Sequence, residues 1–469
     1  MAATATRNVV LICLDSVRND FFEEAAPRTQ ALADVSFDQC RAASSWSVPS
    51  QASMVTGLLP HEHGVHTYSP TYDDLPVERT VLDAFEDHRT VGISANVYAG
   101  PSFGFDRYFD EFHSLIRQTR FPEAATAEEF LATYDGDSPY LDFLRYCLDD
   151  EHTLKSLCNG TVEFAYQSVP VDLWRPLFDE GAGPGLRLAR RELAASDEPT
   201  FIYMNLMEGH VPYRPATYLD GDLYDCPWTW SSGDRGSWEL RLGAYDEEYW
   251  ERRNQLYRAN IDYLDRRLAD FIDEIGDDTT VVVTADHGDD LGTEVDEGLV
   301  NHKSSLTEGV LHVPLHVVNA PSEQEPQTSR YVSHLQLPEL LVGLRDGHVP
   351  DVTRDRIAAE VMGMGGGSDP PPDVDDDFWD RTIRCAYRDD EKVRWDSSGE
   401  VVRYEVSADR SNWQRRTGEL ESVPGWATEA FQDPLDVARQ RATDGPSDGT
   451  AAVEVDERTE RRLRELGYL

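Results

Sequence analysis

The sequence predicts an α/β fold: a mostly parallel central sheet flanked by helices, with a small antiparallel subdomain at the C-terminal end. Three observations predict it. Asn8–Leu14 reads Asn-Val-Val-Leu-Ile-Cys-Leu and ends at Asp15. Such a continuous apolar run suits a strand buried on both faces of a parallel sheet. Thr279–Thr284, Thr-Thr-Val-Val-Val-Thr, repeats the pattern and stops just short of Asp286. Helical patterns lie between such runs. The clearest is Arg253–Ile275, with Leu256, Ile261, Leu264, Leu268, Phe271 and Ile275 at helical spacing.

The remaining elements follow in chain order. Thr90–Ser94, Phe201–Met207 and Val313–Val318 are further candidate strands. Residues 113–200 read as a helical insertion with Gly/Asp-rich breaks within a first domain spanning 1–361. Residues 362–380 are linker-like: Gly-rich, then proline-rich, then acidic. Thr382–Val406 alternates in strand fashion around the turn Asp396-Ser397-Ser398-Gly399, which predicts a small antiparallel subdomain within 381–469. Thr443–Thr450 is a second polar linker, and Glu457–Leu466 a terminal helix. No internal repeat is present.

At 469 residues with 40% hydrophobic content, the chain is long enough for one large domain and a smaller one, and too apolar for global disorder. Acidic residues number 88 against 43 basic ones, a net charge of −45. A surface this negative repels phosphate backbones and argues against nucleic-acid partners. Only three residues are lysine, Lys155, Lys303 and Lys392, and an acidic, lysine-poor surface resembles that of salt-in halophiles such as haloarchaea. No run approaches a membrane span, and the first residues carry no apolar signal core, so the expected location is cytoplasmic. The six cysteines are scattered without CxxC pairs and are expected to be reduced.

In an open parallel sheet, ligands bind beyond the carboxyl ends of the strands. Asp15, His210 and Asp286 all follow such ends. Two carboxylates and the imidazole of His287 suit a divalent cation, and hard oxygen ligands with one histidine leave calcium, magnesium and manganese open. A metal there lowers the pKa of a coordinated hydroxyl, and Ser47 is the natural one. Pro49 can open a helix beside it, whose first-turn amides favour an anion. Taken singly, Asp15 is a strand-end turn residue, Ser47 a turn or cap serine and Asp-His-Gly a common loop sequence. Together they describe a site for transferring a tetrahedral oxyanion group, sulfuryl or phosphoryl.

These segments resemble the sulfatase branch of the alkaline phosphatase superfamily. The resemblance runs in order through residues 8–20, Ser47–Val65, Gly104–Asp110, Met207–Tyr213, Thr284–Gly288 and Asn301-His302 with Glu308 and Val313-Pro314-Leu315. The ending Arg462–Leu469 also resembles family members. It implies an alkaline phosphatase-like sandwich. It further implies that Asp15, Asp286, His287 and Ser47 hold the metal, with Ser47 at the nucleophile position. By the same resemblance His210 donates to the leaving group, and His302 or Lys303 contacts the oxyanion. The chain departs from the family pattern at three places. A family Asp-Asp pair is here Asp15-Ser16. The arginine of the Cys/Ser-x-Pro-x-Arg segment is Gln51, which argues against formylglycine at Ser47. The Gly-Lys-Trp-His segment falls near Gly92–Val97, where Asn96 is the remaining group able to contact an oxyanion.

The resulting expectation is a metal-dependent hydrolase of sulfate esters, with a small molecule or glycan as substrate. The alternatives are a phosphate mono- or diester hydrolase or phosphotransferase using unmodified Ser47, and a catalytically silent relative that binds a ligand. No His-Glu-x-x-His helix supports a zinc protease, and Ser47 lacks a Gly-x-Ser-x-Gly elbow. The sequence specifies no oligomeric state.

Overall fold

Strands without a polar face can be stabilised only inside a sheet covered on both sides, and such strands build the centre of this protein. In the computed structural model, residues 7–465 are described apart from 116–119, 122–123, 128–129, 131–133, 135, 137–138, 169–176, 244–245, 322–329, 365–370, 372–373, 375 and 445–456. The central sheet has seven strands: β1 (Asn8–Leu14), β2 (Val35–Ser36), β3 (Arg89–Ser94), β4 (Glu111–Ser114), β5 (Thr200–Leu206), β6 (Thr279–Ala285) and β7 (Leu315–Val318). Their order is β2-β7-β6-β1-β5-β3-β4. Pairings from β6 through β1, β5 and β3 to β4 are parallel, and β7 runs antiparallel to both its neighbours. Val9–Leu14 of β1 are completely buried, as the unbroken apolar run requires.

The register positions the site. Leu14 lies opposite both Ala285 of β6 and Leu206 of β5. The residues that follow, Asp15, Asp286 and the loop to His210, therefore emerge side by side at one sheet edge. Ser94 lies opposite Asn205, which brings Asn96 to the same edge. Ser47 comes from α1 (Ser47–Thr56), all but the last residue of which is buried, and which ends at Gly57 in the left-handed conformation, φ 71°.

Several boundaries differ from expectation. The helix at Ser47 starts two residues before Pro49. The expected strand Val313–Val318 begins at Leu315, directly after Pro314, which has no N–H to give a ladder. The long helix is α3 (Glu247–Glu274), because Asp246 caps it through Tyr249 N at 2.8 Å. Within 113–200, α2 (Ala182–Ala195) packs against β3, β5 and α3, so it is a crossover helix of the main sheet. Parts of that segment, of the linkers 362–380 and Thr443–Thr450, and the ending 466–469 lie outside the described residues.

The C-terminal sheet is antiparallel, as expected, but it has five strands: Arg356–Met362, Thr382–Arg388, Glu391–Asp396, Val401–Val406 and Gln414–Glu419. A first domain ending at 361 would cut the first of these. The sheet is locked to the main body through Glu308, a fully buried carboxylate. Arg41 and Lys392 pair with it at 2.8 and 3.0 Å, and Tyr387 donates at 2.6 Å. Burial alone would raise the Glu308 carboxyl, but Arg41 and Lys392 outweigh it and bring it down to about 2. All six cysteines are free thiols. No helix among the described residues is long and apolar enough to cross a membrane.

Candidate active site

Asp15, Asp286 and His287 each offer a ligand atom within 4.8 Å of the others, and all three are buried. Among the described residues no lysine or arginine forms an ion pair with either carboxylate. Burial first, and Asp286 second, push the Asp15 carboxyl well above its ordinary value. Two packed carboxylates with an imidazole beside them and no lysine or arginine paired to them fit a hard divalent ion. His287 Nδ1 lies 2.8 Å from the Gly288 carbonyl, which assigns its proton to Nδ1 and leaves Nε2 as the acceptor facing the cluster. Gly288 permits this turn, since a Cβ there would sit 2.2 Å from the Gly309 carbonyl. Gly209 does the same for the His210 loop, where a Cβ would meet the Asp15 carbonyl at 2.4 Å.

Ser47 Oγ stands 3.5 Å from Asp15 Oδ2 and 3.4 Å from His287 Nε2. The hydroxyl thus borders the cluster from the first turn of α1.

The family departures each find a structural use. Ser16, at φ 59°, donates its backbone N–H to Asp286 Oδ1 at 3.1 Å and its hydroxyl to Asp15 Oδ1 at 2.9 Å. It holds the two carboxylates where a second aspartate would add charge. Gln51 donates from Nε2 to Asp286 Oδ2 at 3.1 Å, so a neutral amide occupies the arginine position. Asn96, expected at the oxyanion, instead gives an amide hydrogen to Asp15 Oδ2 at 2.5 Å, and its oxygen accepts from Tyr98 N at 2.8 Å.

Three imidazoles line up beside Ser47. The ring centroids of His287 and His302 are 4.3 Å apart, and those of His302 and His210 5.7 Å apart. His302 Nδ1 lies 3.0 Å from Asp289 Oδ1, and its buried Nε2 has no partner among the described residues. Burial first, then the neighbouring imidazoles, lower His210 to about 3 and His302 to about 4, so both rings are neutral. Asp289 and its partner Arg253, both buried, were missed in the sequence. Burial would raise Asp289, but Arg253 and His302 hold it well below the usual carboxylate range. Lys303 is buried with its ammonium 5.6 Å from the Trp46 ring centre.

The sheet, the strand-end cluster and the bordering hydroxyl fit a hydrolase of sulfate or phosphate esters, and the comparisons agree. The Sulfatase family profile matches residues 7–346, so the chain belongs to the sulfatase family. Members of this family use a divalent metal ion. Among solved structures it is similar to a phosphonate monoester hydrolase of Agrobacterium radiobacter, with 16% identity, TM-score 0.56, and coverage of 85% of this chain and 89% of the other. A 2-O GAG sulfatase matches with 14% identity, TM-score 0.55 and 85% of both chains. An enzyme solved in complex with its substrate D-glucosamine-2-N,6-O-disulfate matches with 12% identity, TM-score 0.53 and 98% of both chains. These likenesses are of fold. No curated protein matches in a sequence search.

Proposed function

We propose that this chain hydrolyses anionic esters, the residue at Ser47 taking up the sulfuryl or phosphoryl group. Sulfate esters of a small molecule or glycan are the first substrate class, in keeping with the family. The observation that carries the reading is the position of Ser47 Oγ, 3.5 Å from Asp15 and 3.4 Å from His287. Asp15, Asp286, His287 and Ser47 would hold the divalent ion, calcium ahead of magnesium or manganese. When bound, such an ion acidifies the Ser47 hydroxyl and offsets charge on the transferring group.

The side chains divide the remaining work. Ser47 Oγ loses its proton to solvent and bonds to sulfur or phosphorus as the S–O or P–O bond to the ester oxygen breaks. His210 supplies the proton that this oxygen needs. The approach of an anion favours the imidazolium that burial otherwise suppresses. His302, oriented by Asp289, and Lys303 contact the oxyanion. Water then cleaves the bond to Ser47. Asn96 and Ser16 act through the carboxylates, as positioning groups.

A second reading, phosphate mono- or diester hydrolysis, is favoured by the Gln51–Asp286 hydrogen bond. With an amide where the family has arginine, Ser47 stays a serine, and a seryl intermediate suits phosphoryl better than sulfuryl transfer. The test is turnover of 4-nitrophenyl sulfate and 4-nitrophenyl phosphate by the metal-loaded protein, with a peptide map of residue 47. A two-hydrogen loss at Ser47 with sulfate turnover supports the first reading. Intact Ser47 with phosphate turnover supports the second. Silence on both esters overturns the proposal in favour of a ligand-binding relative.

A further inference from the structure

A small cavity borders His210, with Glu208, Ala216, Tyr218 and Asn260 also in its wall. The space open to the centre of a water molecule is about 20 Å³. That is room for one water, or for one hydroxyl or amino group. The chain order explains the wall. β5 ends at Leu206, and Glu208 and His210 follow on the loop that leaves the sheet edge. Ala216 and Tyr218 lie further along the same connection, and Asn260 comes from α3. His210 closes the row of imidazoles that begins beside Ser47. Since His210 gives its proton to the leaving oxygen in the proposed reaction, the cavity adjoins the alcohol portion of the ester.

One oxygen in this wall is left over. Glu208 is 1% exposed. Its Oε1 accepts from the Ala182 N–H at 2.7 Å, at the first residue of α2. Its Oε2 is buried and has no partner among the described residues. The other carboxylate of the wall, Glu180, pairs with Arg462 at 3.2 Å. Arg214 also lines the cavity, and no ion pair joins it to Glu208. Nearby Asp179 is held by Arg120 at 2.7 Å and by the Tyr263 hydroxyl at 2.6 Å. Burial first, and Asp179 second, raise the Glu208 carboxyl to about 7, against the Ala182 N–H and Arg120. A buried carboxylate oxygen without a donor is costly until a donor arrives. Capping α2 uses Oε1 alone and gives Oε2 nothing to hold.

We propose that Glu208 Oε2 recognises a hydrogen-bond donor on the alcohol portion of the substrate, a hydroxyl or a protonated amine seated in this cavity. The alcohol then carries a second polar group near the ester oxygen, as a polyol or an amino alcohol does. This deepens the hydrolase reading and rests on it, but its test needs no turnover. Ethyl-, propyl- and butylphosphonate, and the same chains ending in a hydroxyl or an amine, are titrated calorimetrically into the metal-loaded protein. Ionic strength is constant, at about pH 8, where Glu208 is ionised. The wild type is expected to bind at least one donor-bearing chain about tenfold more tightly than its plain counterpart, the scale of one charge-assisted hydrogen bond. A lead for the hydroxyl chains identifies a polyol ester, and a lead for the amines an amino alcohol ester. Glu208→Gln keeps an oxygen for Ala182, puts an amide nitrogen in place of Oε2 and is expected to remove the preference. Ala216→Leu, which fills the cavity and leaves Glu208 in place, is expected to do the same and decides the matter if thermal melts show Glu208→Gln unfolded. A wild type without preference overturns the subsite. So does a preference that survives these substitutions, or a variant that weakens the plain phosphonates as much as the donor-bearing ones. If no phosphonate binds the wild type, the hydrolase reading fails and the subsite with it. If the preference is found but no ester is turned over, the subsite stands and the hydrolase reading fails.

Discussion

Gln51 Nε2 donates to Asp286 Oδ2 across 3.1 Å, both groups buried, and so fixes one of the two carboxylates of the strand-end cluster without adding charge. Removing it frees an oxygen that the cluster needs in a set orientation. Gln51→Ala is expected to weaken divalent-ion binding about 10- to 100-fold, the usual cost of losing a group that orients a ligand. Competition with a metal-sensitive dye measures this directly, and an unchanged affinity would assign Gln51 to packing alone.

Ser47→Ala removes the acceptor of the transferred group while leaving Asp15, Asp286 and His287 in place. Turnover is expected to fall by at least about 10³, with the thermal midpoint nearly unchanged. Loss of the midpoint instead would mean that the Ser47 hydroxyl serves mainly to hold α1.

Asp289 and Arg253 are 2% and 1% exposed at their side chains. Asp289→Ala strands a buried guanidinium and releases His302. The expected destabilisation is about 3–5 kcal/mol in urea unfolding. Arg253→Met with Asp289→Leu should recover much of it, since a buried pair replaced as a whole costs far less than one broken.

Lys303 gives a pH signature. Burial and Arg241 place its folded value at about 7, below the usual lysine range. The unfolded chain therefore holds this proton to higher pH than the folded one, and stability gains from this group as pH rises from about 7 to about 10. Anion affinity moves the opposite way. Inorganic sulfate, whose charge is constant here, should bind more weakly from pH 6 to pH 9 in the wild type, with a flatter profile in Lys303→Met.

Glu308 gives the complementary acid limb. Its folded value of about 2 lies below the ordinary glutamate value of about 4.3, so its contribution is present above pH 4.3 and lost as pH falls toward 2. For this fully buried carboxylate the amount is on the order of 3 kcal/mol. Glu308→Gln should be less stable at pH 7 and show a shallower loss in acid.

Much of this was legible in the sequence because of period and position. The apolar runs at Asn8 and Thr279 could be buried only in a parallel sheet, and the residues after them had to share an edge. That reasoning reached Asp15, Asp286, His287 and His210. Ser16, Gln51 and Asp289 were not legible as site groups, because what they do depends on hydrogen bonds to residues distant in the chain. Asn96 was placed at the correct edge, but which acceptor its amide meets is a matter of side-chain geometry. The strand Arg356–Met362 was not legible, because its pairing with Thr382–Arg388 reaches across the Gly/Pro-rich run between them.

The central claim is that residue 47 accepts the group that is transferred. The most direct measurement mixes metal-loaded protein with excess 4-nitrophenyl sulfate or phosphate, quenches in acid within the first turnovers, and maps the peptide carrying residue 47 by mass. The account predicts that this peptide gains one sulfuryl or phosphoryl group, and that the gain vanishes in Ser47→Ala together with turnover. Turnover that persists in Ser47→Ala, with no group on residue 47, would contradict it.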